Sequence, residues 1–380
     1  MIPGPVEIDP LVQNSMSTAA TSHIDPTFIE TFGKAIELTR KVFLAPTGQP
    51  FILAGSGTLT WDMTAANLIE PGDKVLVVNT GIFGDWFAEC IEVYGGKCTS
   101  LRAEFGDRPS FDAITEALKN EVKTGTPFKM ITLTHVDTST SVLVDVEKVS
   151  AIVKKESPNT LIAVDGVCSI GAEILRQEEW GVDVAMTASQ KALGVPPGLA
   201  VMVVSQRALK VAAERKSPPA IYFGSFKKWL PIMAKYEARQ VSYFATPPVQ
   251  LIIALKTSLE QLLASPGGIE GRFKKHAEIS EKVKSFVKDL GLKIVPVSNE
   301  VAAHSLTAIY FPKGFTAPQV LPKVVARGVV LAGGLHPKFA AEYFRVGHMN
   351  ISACDDHLKH IDTTLNAIKD ALTEAGYSKA

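Results

Sequence analysis

Short apolar runs alternate with amphipathic stretches through the first two thirds of the chain. Six runs predict buried strands, at residues 51–54, 74–78, 129–135, 161–164, 182–187 and 199–204. Apolar residues recurring at helical spacing predict helices between them, at residues 61–69, 84–94, 111–120 and 146–155. This alternation of strand and helix indicates an α/β fold with a mainly parallel sheet covered on both faces.

The pattern changes in the last third of the chain. Pro247-Pro248 opens an amphipathic stretch that ends at Leu263, and the turn-forming residues Ser265-Pro266-Gly267-Gly268 follow it. The remaining pattern predicts a helix at 269–290, strands near 292–295, 305–311, 329–332 and 343–346, and a closing helix at 356–375. Because 380 residues exceed the usual size of one core, we predict a large domain over 1–264 and a smaller α+β domain over 265–380.

Charge and composition exclude several classes of protein. The chain has 39 basic and 39 acidic residues, so no net charge favours binding to nucleic acid or to an anionic membrane surface. No apolar run reaches the roughly 18 residues that a membrane-spanning helix needs. The four cysteines form neither a CxxC pair nor a cluster with histidine, which predicts free thiols and no metal site.

Candidate chemistry begins with Lys191 and Asp165. The predicted strand at 182–187 leads into the loop that carries Lys191, and the strand at 161–164 ends directly on Asp165. Ligands of open α/β sheets bind outside the carboxyl ends of the strands. A lysine that forms a Schiff base and an aspartate that keeps a pyridine nitrogen protonated suit pyridoxal phosphate. The alternative is a surface lysine and a helix-capping aspartate.

A glycine-rich turn precedes the first predicted helix. Gly55-Ser56-Gly57-Thr58 lies between the strand at 51–54 and the helix at 61–69, where free backbone N–H groups could hold a phosphate. A dinucleotide-binding fingerprint is disfavoured, because Thr60 stands where its third glycine should be. A plain glycine turn remains the other interpretation.

Two further strand ends carry candidate binding residues. Phe83 follows the strand at 74–78 and could stack on a flat ring, or could be an ordinary core residue. His135-Val136-Asp137-Thr138-Ser139-Thr140 ends the strand at 129–135, and its hydroxyls could contact a cofactor or cap the next helix. We interpret His135 as a hydrogen-bonded scaffold residue.

In the second predicted domain, Arg345 lies on the strand at 343–346. A planar guanidinium donates two parallel hydrogen bonds to a carboxylate, which lysine cannot do. Arg345 could therefore bind a substrate carboxylate or form an ion pair between domains. We interpret the nearby His348 as structural.

Together these motifs resemble the fold-type I, class V pyridoxal-phosphate aminotransferases, especially the alanine–glyoxylate and serine–pyruvate aminotransferases of fungal type. The resemblance runs nearly end to end. Its motifs are Pro3-Gly4-Pro5, Gly55-Ser56-Gly57-Thr58, residues 135–140, Val164-Asp165-Gly166-Val167-Cys168-Ser169, Ser189-Gln190-Lys191-Ala192, Tyr243-Phe244-Ala245-Thr246-Pro247-Pro248, Ala332-Gly333-Gly334 and Arg345-Val346-Gly347. The resemblance implies a mainly parallel seven-stranded sheet in the large domain.

The resemblance also implies roles for individual residues at the cofactor. Lys191 is expected to be the Schiff-base lysine and proton shuttle, and Asp165 the partner of the pyridine nitrogen. The other expected cofactor contacts are Ser56, Gly57, Thr58 and Gln190 at the phosphate, Phe83 and Val167 at the ring faces, and Ser139 at the ring oxygen. Many relatives carry tryptophan at the position of Phe83, so the stacking area here is smaller.

Substrate and partner contacts follow from the same resemblance. Arg345 and Gly4 are expected to bind the substrate. Tyr243 and Thr246 are expected to reach the cofactor phosphate of a neighbouring subunit, which implies a homodimer with shared active sites. The implied reaction moves an amino group from L-alanine, or from L-serine, to glyoxylate and yields glycine and a 2-keto acid.

Several other functions remain open at this point. Serine–pyruvate and phosphoserine transamination use the same scaffold, although no extra basic cluster marks a substrate phosphate. Cysteine desulfuration or lysis would need a reactive cysteine on a mobile loop, which neither Cys168 nor Cys354 resembles. A nicotinamide-dependent dehydrogenase and a non-catalytic scaffold are alternatives of another class.

The sequence predicts a cytoplasmic location, with a peroxisomal or a mitochondrial location as the alternatives. The Pro3-Gly4-Pro5 motif begins so early that we expect no cleaved presequence. The carboxyl-terminal Ser378-Lys379-Ala380 is close to a peroxisomal signal but ends in alanine instead of leucine. We interpret that similarity as chance.

Overall fold

The computed structural model describes residues 1–379. Its strands are β1 (Gln49–Ala54), β2 (Lys74–Asn79), β3 (Lys97–Arg102), β4 (Met130–Thr134), β5 (Val136–Asp137), β6 (Val142–Leu143), β7 (Leu161–Asp165), β8 (Val184–Ala188), β9 (Leu199–Val204), β10 (Leu306–Tyr310), β11 (Ala332–Gly333) and β12 (Tyr343–Gly347). Its helices are α1 (Pro10–Ser15), α2 (Pro26–Val42), α3 (Gly57–Leu68), α4 (Ile82–Val93), α5 (Phe111–Lys123), α6 (Val146–Glu156), α7 (Gln177–Trp180), α8 (Gln206–Ala213), α9 (Phe226–Glu237), α10 (Val249–Ala264), α11 (Gly268–Asp289), α12 (Ala317–Val325), α13 (Ile351–Cys354) and α14 (His360–Glu374).

Seven strands form the central sheet, in the order β1-β9-β8-β7-β4-β2-β3. The pairs from β8 to β3 are all parallel, and β9 runs antiparallel to both β1 and β8. Every residue of β4, β7, β8 and β9 is buried, because helices cover both faces of the sheet. These observations confirm the predicted mainly parallel seven-stranded sheet.

Strand β3 is the one central strand that the hydrophobic pattern did not predict. Its sequence, Lys97 to Arg102, is mostly polar and none of its residues is buried. It lies at the edge of the sheet, beside β2, where one side needs no strand partner and polar residues discourage further pairing. An edge strand of this kind lacks the apolar run that marks a buried one.

A second, three-stranded antiparallel sheet in the order β10-β12-β11 lies in the last third of the chain. The strand predicted near 292–295 is wrong, since only the isolated bridge between Ile294 and Ile309 forms there. The strand predicted at 329–332 overlaps β11 only at Ala332, since β11 consists of Ala332 and Gly333. One cluster of buried apolar residues includes residues from Val12 to Phe273, and another includes residues from Val287 to Leu372. The domain boundary proposed after residue 264 stays a prediction.

The first residues of the chain cross from the small sheet to the loop after β8. The Gly347 N–H donates to the Met1 carbonyl at 2.9 Å, and the Val6 N–H donates to the Gln190 carbonyl at 3.0 Å. This path places Pro3 and Gly4 beside Lys191. The amino-terminal segment therefore forms one wall around the carboxyl ends of the central strands.

Candidate active site

A cavity of about 210 Å³ lies where the carboxyl ends of β7 and β8 face the beginning of α3. The residues that line it are Ser56, Gly57, Thr58, Trp61, Phe83, Thr134, Val136, Thr138, Asp165, Val167, Ala188, Gln190 and Lys191. Sequence motifs that are far apart along the chain thus meet at one place. Of the predicted site residues, Gly4, Ser139, Tyr243, Thr246 and Arg345 do not line this cavity.

Lys191 lies in the turn that follows β8. The Gly194 N–H donates to the Lys191 carbonyl at 2.8 Å, which closes the turn. The Lys191 side chain donates a hydrogen bond to the Pro3 carbonyl. Gly4 packs against the same side chain, because a Cβ atom at this position would lie 2.6 Å from Lys191 Cδ and 2.8 Å from Nζ. Gly4 therefore contacts the lysine, and a larger residue there would displace its amine.

Asp165 is the last residue of β7 and is 3% exposed. Its Oδ1 accepts a hydrogen bond from the Val167 N–H at 2.9 Å, and its Oδ2 accepts one from Trp61 Nε1 at 3.1 Å. Burial raises the pKa of Asp165 to about 6, against the opposing effect of the Val167 N–H. The carboxylate is thus held by two neutral donors and has no basic hydrogen-bond partner, a setting that favours a cationic ligand.

This pKa makes the stability of cofactor-free protein depend on pH. Because the pKa rises from 3.8 in the unfolded chain to about 6 in the fold, the Asp165 contribution is fully present below about pH 4 and is lost as pH rises through 6. We expect that loss to be on the order of 3 kcal/mol. Urea unfolding of the wild type and Asp165→Asn between pH 4 and 7 measures it. If the difference in free energy of unfolding between the two proteins stayed constant from pH 4 to 7, the raised pKa of Asp165 would be contradicted.

The beginning of α3 has the features of a phosphate site. Ser56 precedes the helix, and its hydroxyl bonds the Thr58 hydroxyl at 3.0 Å instead of capping a backbone N–H. The first N–H groups of a helix have no internal partner and lie at its positive end. A Cβ atom on Gly57 would lie 3.1 Å from Val167 Cγ2 and 3.2 Å from the Ala188 methyl group. Glycine here keeps the helix start close to the cavity.

Gln190 supplies a polar atom that has no protein partner. Its Oε1 is buried and makes no hydrogen bond within residues 1–379. A buried acceptor left unpaired costs about 1–3 kcal/mol, so such an atom next to a cavity favours a ligand that pairs with it.

Phe83 lies in the first turn of α4, and its ring meets the Trp61 ring edge-on at 6.5 Å. The buried Asp137 carboxylate holds this turn, accepting hydrogen bonds from the N–H groups of Phe83 at 3.2 Å and Gly84 at 3.4 Å. Burial raises the pKa of Asp137. The short hairpin of β5 and β6 thereby fixes Phe83 against the cavity.

Ser139 belongs to the same hydrogen-bond network around Asp137 and does not line the cavity. Its hydroxyl donates to Asp137 Oδ1 at 2.5 Å and accepts from the Ile82 N–H at 3.1 Å. The neighbouring Thr138 lines the cavity instead, with its hydroxyl 2.7 Å from Cys168 Sγ. Thr138 and not Ser139 therefore lines the cavity, and the ring-oxygen contact predicted for Ser139 stays a prediction.

Arg345 lies on β12 and is 9% exposed. Its Nε donates to the Gly333 carbonyl at 2.8 Å and its Nη1 to the Thr138 carbonyl at 3.1 Å. Within residues 1–379 no carboxylate lies within 4.0 Å of it and Nη2 has no acceptor. Burial lowers the pKa of Arg345, and the Coulombic effects of Tyr343, Cys168 and Asp137 oppose that shift. The Thr138 carbonyl joins this guanidinium to the cavity wall.

Tyr243 and Thr246 lie away from the cavity, on the surface of the chain. Tyr243 is 62% exposed and its ring packs on His23 at 5.1 Å. Thr246 is also exposed. Their predicted contact with a neighbouring subunit stays a prediction.

The buried histidines are hydrogen-bonded scaffold. His135 Nδ1 lies 2.9 Å from the Ser169 hydroxyl, and burial lowers its pKa to about 4. His348 Nε2 lies 2.8 Å from the Thr307 hydroxyl, and burial lowers its pKa to about 3. Residues 1–379 contain no group of three or more His, Cys, Asp or Glu side chains placed to hold a metal ion. Nor does that part of the chain contain a helix long and apolar enough to span a membrane.

Sequence reasoning missed Trp61 and Thr138. Trp61 lies four residues after Gly57 on α3, hence one turn further along the same face, a spacing that could have pointed to it. Thr138 stands in the motif at residues 135–140, of which Ser139 was the residue singled out.

Comparison with known proteins identifies the class to which this fold and site belong. Residues 11–349 match the family described as aminotransferase class V. The chain belongs to the class V aminotransferases, a family of fold-type I enzymes that implies pyridoxal phosphate as cofactor. The resemblance predicted from the motifs is confirmed.

Two related enzymes and one crystal structure are similar to this chain over most of its length. Alanine–glyoxylate aminotransferase 1 of Saccharomyces cerevisiae is 40% identical over 384 aligned residues, which cover 98% of this chain and 97% of the relative. L-aspartate–glyoxylate aminotransferase of Paracoccus denitrificans is 32% identical over 92% of this chain and 85% of its own. The crystal structure of an alanine–glyoxylate aminotransferase from Nostoc superimposes with a TM-score of 0.88 over 98% of this chain and 94% of that chain, at 27% identity.

Proposed function

We propose that this aminotransferase uses pyridoxal phosphate to move an amino group from a small amino acid to glyoxylate, producing glycine and a 2-keto acid. L-alanine is the proposed first donor and L-serine the second. The observation that carries the proposal is the cavity that brings Lys191 Nζ and the Asp165 carboxylate together at the amino end of α3. The yeast alanine–glyoxylate relative, aligned over nearly the whole chain, supports the choice of substrates.

The residues present fit pyridoxal phosphate. Asp165 is a buried carboxylate with no basic hydrogen-bond partner, suited to a protonated pyridine nitrogen. Ser56, Gly57 and Thr58 at the start of α3 would hold the phosphate, and the unpaired Gln190 Oε1 gives the cavity a further polar contact. The Val167 side chain, packed against Gly57, and the Phe83 ring would cover the two faces of the pyridine ring.

When bound, pyridoxal phosphate would supply an electron-accepting ring that stabilises negative charge at the α-carbon of a substrate. Lys191 Nζ is the basic group of the cavity that can take up the α-proton and return it. Asp165, once ionised, would hold a proton on the ring nitrogen of the bound cofactor. The Pro3 carbonyl and Gly4 restrict where the lysine amine can lie, so proton transfer is confined to one side of the cavity.

Arg345 would orient both substrates, because the amino acid and glyoxylate each carry a carboxylate. Its unpaired Nη2 and its Nη1 can donate two parallel hydrogen bonds. Lys191 is the one cation that lines the cavity within residues 1–379. With Arg345 taken by the first carboxylate, no cation other than Lys191 lines the cavity to pair with a second one, which favours alanine or serine over aspartate. The same reasoning disfavours phosphoserine.

A homodimer with shared active sites is part of the proposal. Tyr222, Val241 and Tyr243 are large apolar residues that are 73%, 60% and 62% exposed, and the last two lie close to Thr246 in sequence. Ser56 and Thr58 at the cavity mouth are also exposed. Tyr243 and Thr246 of one subunit are proposed to cover the phosphate end of the other subunit's cavity. A cytoplasmic location stays a prediction from the sequence.

Isotope transfer tests the proposed reaction. Purified enzyme supplied with pyridoxal phosphate, [¹⁵N]L-alanine and glyoxylate should form [¹⁵N]glycine, and L-serine and L-aspartate serve as competing donors. Formation of labelled glycine from alanine at the highest kcat/KM supports the proposal. A higher kcat/KM for aspartate would contradict the inference that the cavity offers no partner for a second donor carboxylate. If no donor yielded labelled glycine, glyoxylate would not be the acceptor.

Arg345→Lys should raise the KM for L-alanine and for glyoxylate together. Lysine keeps the charge but loses the paired donors, and a hydrogen bond to a charged group contributes roughly 1.5–3 kcal/mol. We expect kcat/KM to fall about 10- to 100-fold, with cofactor affinity unchanged. Arg327→Lys is the matched control, since Arg327 pairs with the exposed Glu374 instead of a residue of the site. An unchanged KM in Arg345→Lys would remove this residue from the site.

A further inference from the structure

Two arginine side chains are buried in the part of the chain that the structure describes, Arg345 and Arg272. Arg345 has a place in the proposed reaction, whereas Arg272, 6% exposed on α11, has none. Several other arginines pair with carboxylates, as Arg207 does with Asp183 and Arg40 with Glu237. Arg272 has no carboxylate within 4.0 Å in residues 1–379. It is a second buried cation without a counter-charge.

The hydrogen bonds of Arg272 leave part of its guanidinium unused. Nη2 donates to Asn350 Oδ1 at 2.8 Å, Nη1 reaches the Ser265 hydroxyl only at 3.4 Å, and Nε has no acceptor. Burial lowers the pKa of Arg272. An unpaired buried charge costs several kcal/mol by general estimates, so the fold would be relieved by an anion here.

A cavity of about 360 Å³ lies against Arg272, between the loop that follows α10 and the end of α13. The two carboxylates in its wall already have partners: Asp356 lies 2.7 Å from Lys275 Nζ, and Glu278 lies 4.0 Å from Lys274 Nζ. The Cys354 thiol also lines the cavity, and burial raises its pKa, so it is neutral and supplies no counter-charge. Arg272 is therefore the unneutralised charge of this cavity.

We propose that this cavity binds a small oxyanion, a carboxylate or a phosphate, through the guanidinium of Arg272. The Ser265 hydroxyl already donates to the Gln261 carbonyl at 3.1 Å, so the donor left unpaired is the Nε–H of Arg272. The planar guanidinium suits two oxygens of one anion. The site lies outside the catalytic cavity and shares no lining residue with it. Binding here does not depend on transamination.

The position of the site connects it with the catalytic lysine. Asn350, which accepts from Arg272, packs on Gly194 so closely that a Cβ atom there would lie 1.5 Å from Asn350 Nδ2. The Gly194 N–H in turn donates to the Lys191 carbonyl. Two contacts thus separate the oxyanion cavity from the turn that carries Lys191.

The direct test is a titration with inorganic phosphate and, separately, with acetate, followed by calorimetry. The protein is Arg345→Gln saturated with pyridoxal phosphate, so that neither the cofactor site nor the substrate clamp takes up the probe. We expect saturable binding of at least one anion, and adding Arg272→Gln should weaken it about tenfold or more. The tighter probe distinguishes a phosphate site from a carboxylate site.

Lys274→Gln in the same background is the matched control. Lys274 lines the same cavity but its side chain is 81% exposed, so its removal should change Kd by less than about threefold. Equal binding with and without Arg272, or no binding of either anion, would overturn the proposal.

A second measurement needs no variant and no turnover. In the wild-type protein, a saturating concentration of the bound anion should slow alkylation of Cys354 by N-ethylmaleimide, measured by peptide mass spectrometry. Cys90 and Cys98, which lie on α4 and β3 in the other part of the fold, should react at unchanged rates. A Cys354 rate that neither anion alters would count against the site even if Arg272→Gln failed to fold.

Discussion

Replacing Lys191 with alanine is expected to abolish measurable transamination while the protein still binds pyridoxal phosphate. Asp165, Gln190 and the start of α3 remain in place in this variant, so most contacts proposed for the cofactor persist. A positioned proton-transfer group contributes about 10²–10⁴-fold to the rate, so kcat should fall by at least that factor. Steady-state assays and cofactor titration measure the two effects separately.

Two controls make the Lys191→Ala result specific. Lys154→Ala removes an exposed lysine of α6 and should leave kcat unchanged. Added methylamine should restore part of the activity of Lys191→Ala, because the missing function is that of a primary amine. Turnover within about tenfold of the wild type would exclude Lys191 as the proton-transfer group.

Asp165→Asn should slow proton removal far more than it weakens cofactor binding. Asparagine keeps the size of the side chain but has no charge to hold a proton on the ring nitrogen. Since a charge-assisted hydrogen bond contributes roughly 1.5–3 kcal/mol, and the charge acts in a buried site, we expect kcat to fall about 100-fold or more. Single-turnover kinetics with [2-²H]L-alanine should show a larger isotope effect in the variant, because proton removal becomes rate-limiting.

Trp61→Phe is the comparison for Asp165→Asn. It removes one hydrogen bond to Asp165 Oδ2 but leaves the charge and the Val167 N–H in place. A decrease in kcat of less than about tenfold is expected from a neutral donor. If Asp165→Asn weakened cofactor binding and slowed turnover by the same factor, the proposed role at the ring nitrogen would be wrong.

The strands that carry the site could be predicted because they are buried on both faces. In β4 and β7 every residue is buried, and such strands read as unbroken apolar runs whose ends can be located. The rule that ligands bind at the carboxyl ends of parallel strands then brought Asp165 and Lys191 to one cavity. Edge strand β3 gave no such signal, because solvent on its open side permits polar residues.

Contacts between distant segments could not be predicted. The hydrogen bond from Trp61 to Asp165 joins residues 104 positions apart, and no sequence pattern around either residue indicates it. The choice between Thr138 and Ser139 depends on the Asp137 carboxylate, which turns the serine hydroxyl towards α4. The sequence also could not show that Arg345 has no carboxylate partner. Its neighbours, such as the Thr138 carbonyl, are set by the packing of the small sheet against residues 138–139.

The most direct test of the central claim is the visible spectrum of the protein saturated with pyridoxal phosphate, recorded before and after L-alanine and again after glyoxylate. The account predicts an absorption band that alanine bleaches and glyoxylate restores, because both halves of the transfer use one cavity. Bleaching by serine alone would change the donor and keep the mechanism. A protein that cannot be loaded with pyridoxal phosphate, or whose band no amino acid alters, would contradict the roles given to Lys191 and Asp165.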